Sequence, residues 1–146
     1  MIAVDTDILV IDRVFKNDPC HPATTNFLAR QSQGYGVPIF SLLELCGVMA
    51  TAKQPKMARQ LFEEYLTYPT IRILYPPVIL ENVAAFWANQ NAELARRIER
   101  GMRLGDAAIL WTVESTACDA LITWNVKHYQ RQTTVAVLTP DEWLKQ

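Results

Sequence analysis

The chain has 146 residues, half of them hydrophobic and a fifth charged, with a formal net charge of -1. That length and balance suit one globular domain over residues 1–146 with a real core, and exclude a disordered or fibrous chain. A net charge so near zero excludes a global field that gathers polyanions, so any nucleic-acid binding must come from a local basic patch.

The first apolar run, Ile2-Ala3-Val4, is short and ends in Asp5-Thr6-Asp7. It predicts a buried strand at 2–5 with carboxylates at its exit. Asp7 is a candidate cap for the segment 8–14. A helix is expected after Pro22, running through Phe27 and Leu28 to Gln33, with Gly34 and Gly36 as stop signals. A second strand is expected at 37–40. It is followed by a helix from Ser41, whose spacing to Glu44 matches a capping box and whose apolar residues Leu42, Leu45, Val48 and Met49 repeat at helical intervals. A helix from Pro55 carries Met57, Leu61, Phe62 and Leu66, and a third strand is expected at 71–74. A long helix then starts near Pro77, with Ile79, Val83, Phe86 and Trp87 on one side and a polar later part, 93–103. The helix expected at 104–116 is almost wholly apolar after Asp106. Strands at 120–123 and 135–138 and a last turn at 141–145 complete the pattern.

Alternating strands and helices imply a mainly parallel sheet with helices on both faces, here five strands in a three-layer α/β/α sandwich. The helix pairs between strands two and three and between strands three and four each form a helical hairpin. Cys20, Cys46 and Cys118 lack C-x-x-C spacing, which fits reduced, packed thiols better than a disulfide framework or a zinc site. No apolar run approaches the roughly 20 residues of a membrane span, and the start lacks the pattern of a secretion signal. The expectation is a soluble cytoplasmic protein without a membrane partner.

In open parallel sheets ligands bind at the C-terminal rim of the strands. The chain sends Asp5, Glu44, Asp106 and Asn125 toward that rim from distant segments. Each has a plainer role of its own: Glu44 in a capping box, Asp106 favoured by a helix dipole, Asn125 shaping a turn. Asp5 is harder to dismiss, since a carboxylate ending a central strand is costly unless paired, hydrogen-bonded or metal-bound. Together the four are oxygen donors without a nearby His or Cys, the set that suits Mg²⁺ or Mn²⁺. The chemistry that follows from such a site is phosphodiester hydrolysis.

The segments IAVDTDILV, SLLELCGVM, GDAAILWTVE and LITWNVKHY, in this order and with VLTPDEWL at the end, resemble a PIN domain, most of all the VapC-type toxins of bacterial toxin–antitoxin pairs. The resemblance covers nearly the whole chain. It implies a five-stranded parallel α/β/α sandwich and Mg²⁺- or Mn²⁺-dependent cleavage of RNA by in-line attack of water. It carries the family's acids onto Asp5, Glu44 and Asp106, the metal ligands, and its fourth position onto Asn125, an amide where the family often has an aspartate. Thr123 matches the threonine that holds the site by hydrogen bonding. Asp7 could restore some of the charge missing at Asn125 if its side chain turns inward. The resemblance also implies a homodimer and a cognate antitoxin.

The strongest basic patch for RNA is Arg96, Arg97, Arg100 and Arg103, of which Arg96, Arg100 and Arg103 share one face of the expected helix. The competing reading is a solvated surface with Glu93–Arg97 and Glu99–Arg103 as i, i+4 pairs. Lys127 and His128 follow Asn125 and are candidates for touching a phosphate. Trp87, Trp111 and Phe86 are expected in the core. Two other readings stand. Asp5-Thr6-Asp7 also resembles the D-x-D of haloacid-dehalogenase-type phosphatases, with Asp5 as nucleophile. The amide at Asn125 favours a non-catalytic interaction module.

Overall fold

A computed structural model describes residues 1–78 and 82–145. Among them run β1 (Ile2–Val4), α1 (Thr6–Arg13), α2 (His21–Ala29), β2 (Tyr35–Pro38), α3 (Ile39–Thr51), α4 (Pro55–Thr67), β3 (Ile71–Leu74), α5 (Val83–Glu99), α6 (Leu104–Ser115), β4 (Ala120–Ile122), α7 (Val126–Tyr129), β5 (Ala136–Leu138) and α8 (Pro140–Trp143). The strands form one sheet in the order β3-β2-β1-β4-β5, every neighbouring pair parallel. This is the arrangement that alternating strands and helices require, with β1 at its centre.

Side chains alternate across a strand, so each central strand serves both layers. Ile2 and Val4 of β1 join Ala120 and Ile122 of β4 in one core with Ile8, Leu9, Phe27, Leu42 and Leu45. Ala3 and Leu121 face the other way, into a second core with Ile109, Leu110 and Val113 of α6. Every residue of β1 and β4 is buried. Each large aliphatic side chain so enclosed contributes roughly 1.5–3 kcal/mol, which holds the two strand exits in fixed relation. Among the described residues no helix is long and apolar enough to cross a membrane.

Several elements depart from the sequence pattern for identifiable reasons. Pro38 ends β2 and stands at the N-cap position of α3, so strand and helix both begin two residues earlier than expected. Ser41 therefore lies inside α3, buried, and the Ser41–Glu44 capping box does not form. Helix α1 starts at Thr6, two residues ahead of the capped segment expected at 8–14, and four consecutive buried residues, Ile8 to Ile11, mask its helical period. Its cap is Asp5 and not Asp7. Helix α5 begins at Val83 rather than near Pro77, capped by Asn82, whose side chain accepts from the Ala84 and Ala85 N–H groups at 2.9 and 3.2 Å. Ile79 lies outside the described residues. Trp111 is buried as expected, whereas Trp87 is 53% exposed and stacks edge-on against Phe86.

The end of α5 changes the basic face. Gly101 has φ +91°, its N–H donates to Ile98 O at 2.8 Å, and the Met102 N–H donates to Arg97 O at 3.2 Å. This is a Schellman termination, which needs the left-handed conformation that glycine adopts without a Cβ clash. Arg103 consequently leaves the helix and becomes the N-cap residue of α6. The shared face of Arg96, Arg100 and Arg103 and the Glu99–Arg103 helical pair are thus corrected. The two short helices α7 and α8 follow the last two strands, and α8 carries a capping box of Thr139 and Glu142.

Candidate active site

Asp5 and Thr123 each follow the last residue of a central strand, and the register pairs Val4 with Ile122. The backbone ladder continues one step beyond, with the Asp5 N–H on Ile122 O and the Thr123 N–H on Leu138 O, both at 3.0 Å. Both side chains therefore emerge at the same C-terminal edge from a rigid base. Asp5 is 4% exposed. Its Oδ1 accepts from the Thr6 N–H at 2.7 Å, and its Oδ2 lies 2.8 Å from the Thr123 hydroxyl. Burial, then the charge of Asp7, pushes the Asp5 carboxyl up to about 7, against bonds from Thr123, the Thr6 N–H and Tyr129 that pull it down.

Asp7 faces the same loop. Its Oδ2 lies 3.0 Å from the Thr123 hydroxyl and accepts from the Trp124 N–H at 2.8 Å, the Asn125 N–H at 3.1 Å and Asn125 Nδ2 at 3.1 Å. Its Oδ1 is buried and has no hydrogen-bond partner among the described residues. Burial raises this carboxyl too. The Thr123 hydroxyl carries one proton, so it donates to one of the two carboxylates and accepts from the other when that one is protonated.

Glu44 arrives from α3. Its Oε2 accepts from the Thr6 hydroxyl at 2.5 Å. Its Oε1 rests on the backbone of Gly105, where a Cβ would collide with it. The acid of α3 is thereby laid across the first turn of α6, one residue from Asp106. Asp106 Oδ1 accepts from the Tyr129 hydroxyl at 3.2 Å, and His128 Nδ1 stands 3.5 Å from Asp106 Oδ2. The Tyr129 hydroxyl also interacts with the Asp5 carboxyl. Burial and the two acids raise this phenol far above its ordinary range, so it remains a proton donor.

Thr6 thus links Asp5 to Glu44, Tyr129 donates to Asp106, and Thr123 joins Asp5 to Asp7. Among the described residues no three His, Cys, Asp or Glu side chains stand close enough to hold an ion as they are placed. The donor set is carboxylate oxygen, the chemistry that hard dications take, and the bare Asp7 Oδ1 is an unused acceptor beside it. Glu44 is exposed, so its side chain has room to turn. The residues present fit an Mg²⁺- or Mn²⁺-sized ion after such a turn.

The cations divide. Arg103, Lys127, His128 and Gln132 line a cleft of about 260 Å³ with Asp106. Arg100 neighbours it, its carbonyl accepting from Gln132 Nε2 at 3.2 Å. Arg96 is exposed and bonded to Glu93 at 2.7 Å. Arg97 is buried against Glu114 at 2.6 Å, with Glu93 3.6 Å away. Sequence reasoning missed Tyr129, Thr6 and the pairing of His128 with Asp106. The first and last depend on α7, which is too short to show a period.

No family model and no curated protein matches the chain. Solved structures do. A toxin–antitoxin complex from Klebsiella pneumoniae superposes with a TM-score of 0.62 at 20% identity, covering 96% of this chain and 98% of that one. VapC20 of Mycobacterium tuberculosis, a sarcin-ricin loop cleaving toxin, gives 0.65 at 16% identity over 93% and 98%. VapBC-1 from nontypeable Haemophilus influenzae gives 0.63 at 22% over 97% and 99%. At these identities the likeness is one of fold, and the chain has the PIN-like α/β/α fold that these toxin structures share.

Proposed function

We propose that this chain is a metal-dependent endoribonuclease and the toxin half of a toxin–antitoxin pair. The observation that carries this reading is the arrival of Asp5, Glu44 and Asp106 at one sheet edge, Thr6 bonded to the first two and Tyr129 to the third, in a fold shared with a sarcin-ricin loop cleaving toxin. Asp5, Glu44 and Asp106 would hold Mg²⁺ or Mn²⁺, which when bound lowers the pKa of a water and offsets charge building on a phosphate. Thr123 and the Thr6 N–H orient Asp5 so that its carboxylate cannot swing away from the edge. Asp7 pins the Trp124–Asn125 backbone, which keeps the Asn125 amide at the rim. Arg103 and Lys127 border Asp106 and supply positive charge for the RNA backbone. Arg100 and Arg96 extend that charge outward, Arg96 offset by Glu93. A structure that shares this fold is a toxin–antitoxin complex, which supports a cognate antitoxin here. A homodimer, a cytoplasmic setting and one domain over the whole chain complete the reading.

The phosphatase reading fits less well, because it requires Asp5 as a free nucleophile and both of its oxygens are engaged. A non-catalytic module is favoured by the amide at Asn125, which contributes no charge to the site.

The deciding experiment is gel-resolved cleavage of single-stranded and loop RNA by wild type and Asp5→Asn, with Mg²⁺ or Mn²⁺ and with EDTA. Cleavage is expected to need the metal and to vanish in Asp5→Asn while the circular dichroism spectrum stays native. Full activity of that variant, or of the wild type in EDTA, overturns the reading.

A further inference from the structure

We propose that Tyr129 is a positioning residue of the acidic site, its phenol holding the Asp106 carboxylate in the orientation in which it would take a cation. This rests on the nuclease reading above. Asp5 stands on the end of β1 and Asp106 on the first turn of α6. Tyr129 comes from a third element, α7, and is fully buried. Its ring packs in the second core with Ala107, Leu110 and Leu121, which leaves the hydroxyl little freedom. That hydroxyl donates to Asp106 Oδ1 at 3.2 Å.

A phenylalanine would fill the same space, so the apolar core does not call for the oxygen. The oxygen's hydrogen-bond partner is Asp106, one of the acids that would hold the cation. Hydrogen bonds to ligating carboxylates fix their orientation, and losing one typically weakens metal binding about 10- to 100-fold. His128, the neighbour of Tyr129 on α7, approaches the other oxygen of Asp106, so a single short helix fixes both sides of that carboxylate.

The test is Mn²⁺ titration of wild type and Tyr129→Phe by calorimetry, with RNA cleavage kinetics alongside. Tyr129→Phe keeps the ring, so its melting temperature in EDTA is expected to stay near that of the wild type. Its Mn²⁺ affinity is expected to fall at least about 10-fold, with kcat reduced and the KM for RNA unchanged. In an Asp106→Asn background the same change is expected to cost much less, because its main partner is already altered. Equal Mn²⁺ affinity in wild type and Tyr129→Phe overturns the role of Tyr129 and leaves the nuclease reading standing. No Mn²⁺ binding by the wild type overturns both.

Discussion

Asn125 Nδ2 donates to Asp7 Oδ2 at 3.1 Å, so the amide at the end of β4 and the acid in the first turn of α1 are direct neighbours. The carboxylate that the family resemblance places at 125 is absent, and one stands beside it at 7. Exchanging the two, Asp7→Asn with Asn125→Asp, keeps the charge and one hydrogen bond between the positions. Asp7→Asn alone is expected to destabilise the fold by about 1–3 kcal/mol, because the amide oxygen can keep the three donors of Trp124 and Asn125 only by burying its NH₂ at the Oδ1 position, which has no partner among the described residues. It is also expected to reduce metal-dependent cleavage. The exchanged double variant should recover more cleavage than Asp7→Asn. Chemical denaturation and cleavage rates of the three proteins check this, and a double variant no better than the single one shows that position 7 carries no charge the site uses.

The raised Asp5 carboxyl makes a pH prediction. Its pKa in the folded protein, about 7, lies above the ordinary 3.8, so the folded state holds the proton more tightly than the unfolded chain. Stability therefore falls as pH rises through that interval, and Asp7, shifted the same way, adds to the slope. In EDTA the melting temperature is expected to be higher at about pH 5 than at about pH 8. Mn²⁺ binds the ionised form, so it should raise the melting temperature more at the higher pH. Asp5→Asn removes the group and should flatten the metal-free slope. Melting curves across this range with and without Mn²⁺ decide it, and a metal-free protein that gains stability toward high pH contradicts the assignment.

The strand exits were readable in advance because β1 and β4 have simple physics. A short β-branched run must be buried on both faces in a parallel sheet, and a carboxylate at its end has few places to go. That logic places Asp5 and Thr123 at one edge without coordinates. Glu44 was readable as an acid near the rim, but not its rest on Gly105, which depends on how α3 crosses α6. The Arg96–Arg103 face misled because the periodicity was carried through Gly101, although a glycine there is itself a stop signal. Tyr129 was invisible because one turn of helix has no period to detect. The setting of Asp7 was invisible because the four contacts of its Oδ2 come from across the sheet edge, more than a hundred residues away.

Gly105 offers a test of Glu44 that leaves the acid in place. An added Cβ at 105 would meet Glu44 Oε1, and the exposed Glu44 side chain can swing aside at small cost. Alanine also favours a helix over glycine by about 1 kcal/mol. Gly105→Ala is therefore expected to keep or slightly raise the melting temperature while weakening Mn²⁺ binding. The two readouts moving in opposite directions would mark Glu44 as a functional contact, whereas unchanged Mn²⁺ affinity would show that its position over α6 is incidental.

The cleft beside Asp106 orders the cations by expected effect on RNA. Arg103 and Lys127 line it, and Arg96 is bonded to Glu93 away from it. Arg103→Ala and Lys127→Ala are expected to weaken binding and each to lower the slope of log affinity against log salt by roughly 0.7 for a single strand. Arg96→Ala should change both less. Filter binding of one RNA across a salt series, using a cleavage-dead Asp5→Asn protein, measures this, and an order with Arg96 first would move the binding path onto α5.

Arg97 separates charge that holds the fold from charge that meets a ligand. In sequence it is indistinguishable from Arg96, yet it is 4% exposed and its guanidinium bonds Glu114 of α6 at 2.6 Å while lying 3.6 Å from Glu93. It thus clasps α5 to α6, the helix that carries Asp106. Removing one partner of such a pair leaves an uncompensated buried charge. Glu114→Ala is therefore expected to cost about 3 kcal/mol, the low end for a buried pair because Glu114 itself is partly solvated and Glu93 remains nearby. Arg97→Met keeps the volume and removes the charge, so it should cost less than Glu114→Ala. Neither change is expected to alter the salt slope of RNA binding, since neither side chain lines the cleft. Urea unfolding of both variants, read beside the salt series, tests the division, and a lowered salt slope in Arg97→Met would return Arg97 to the binding surface.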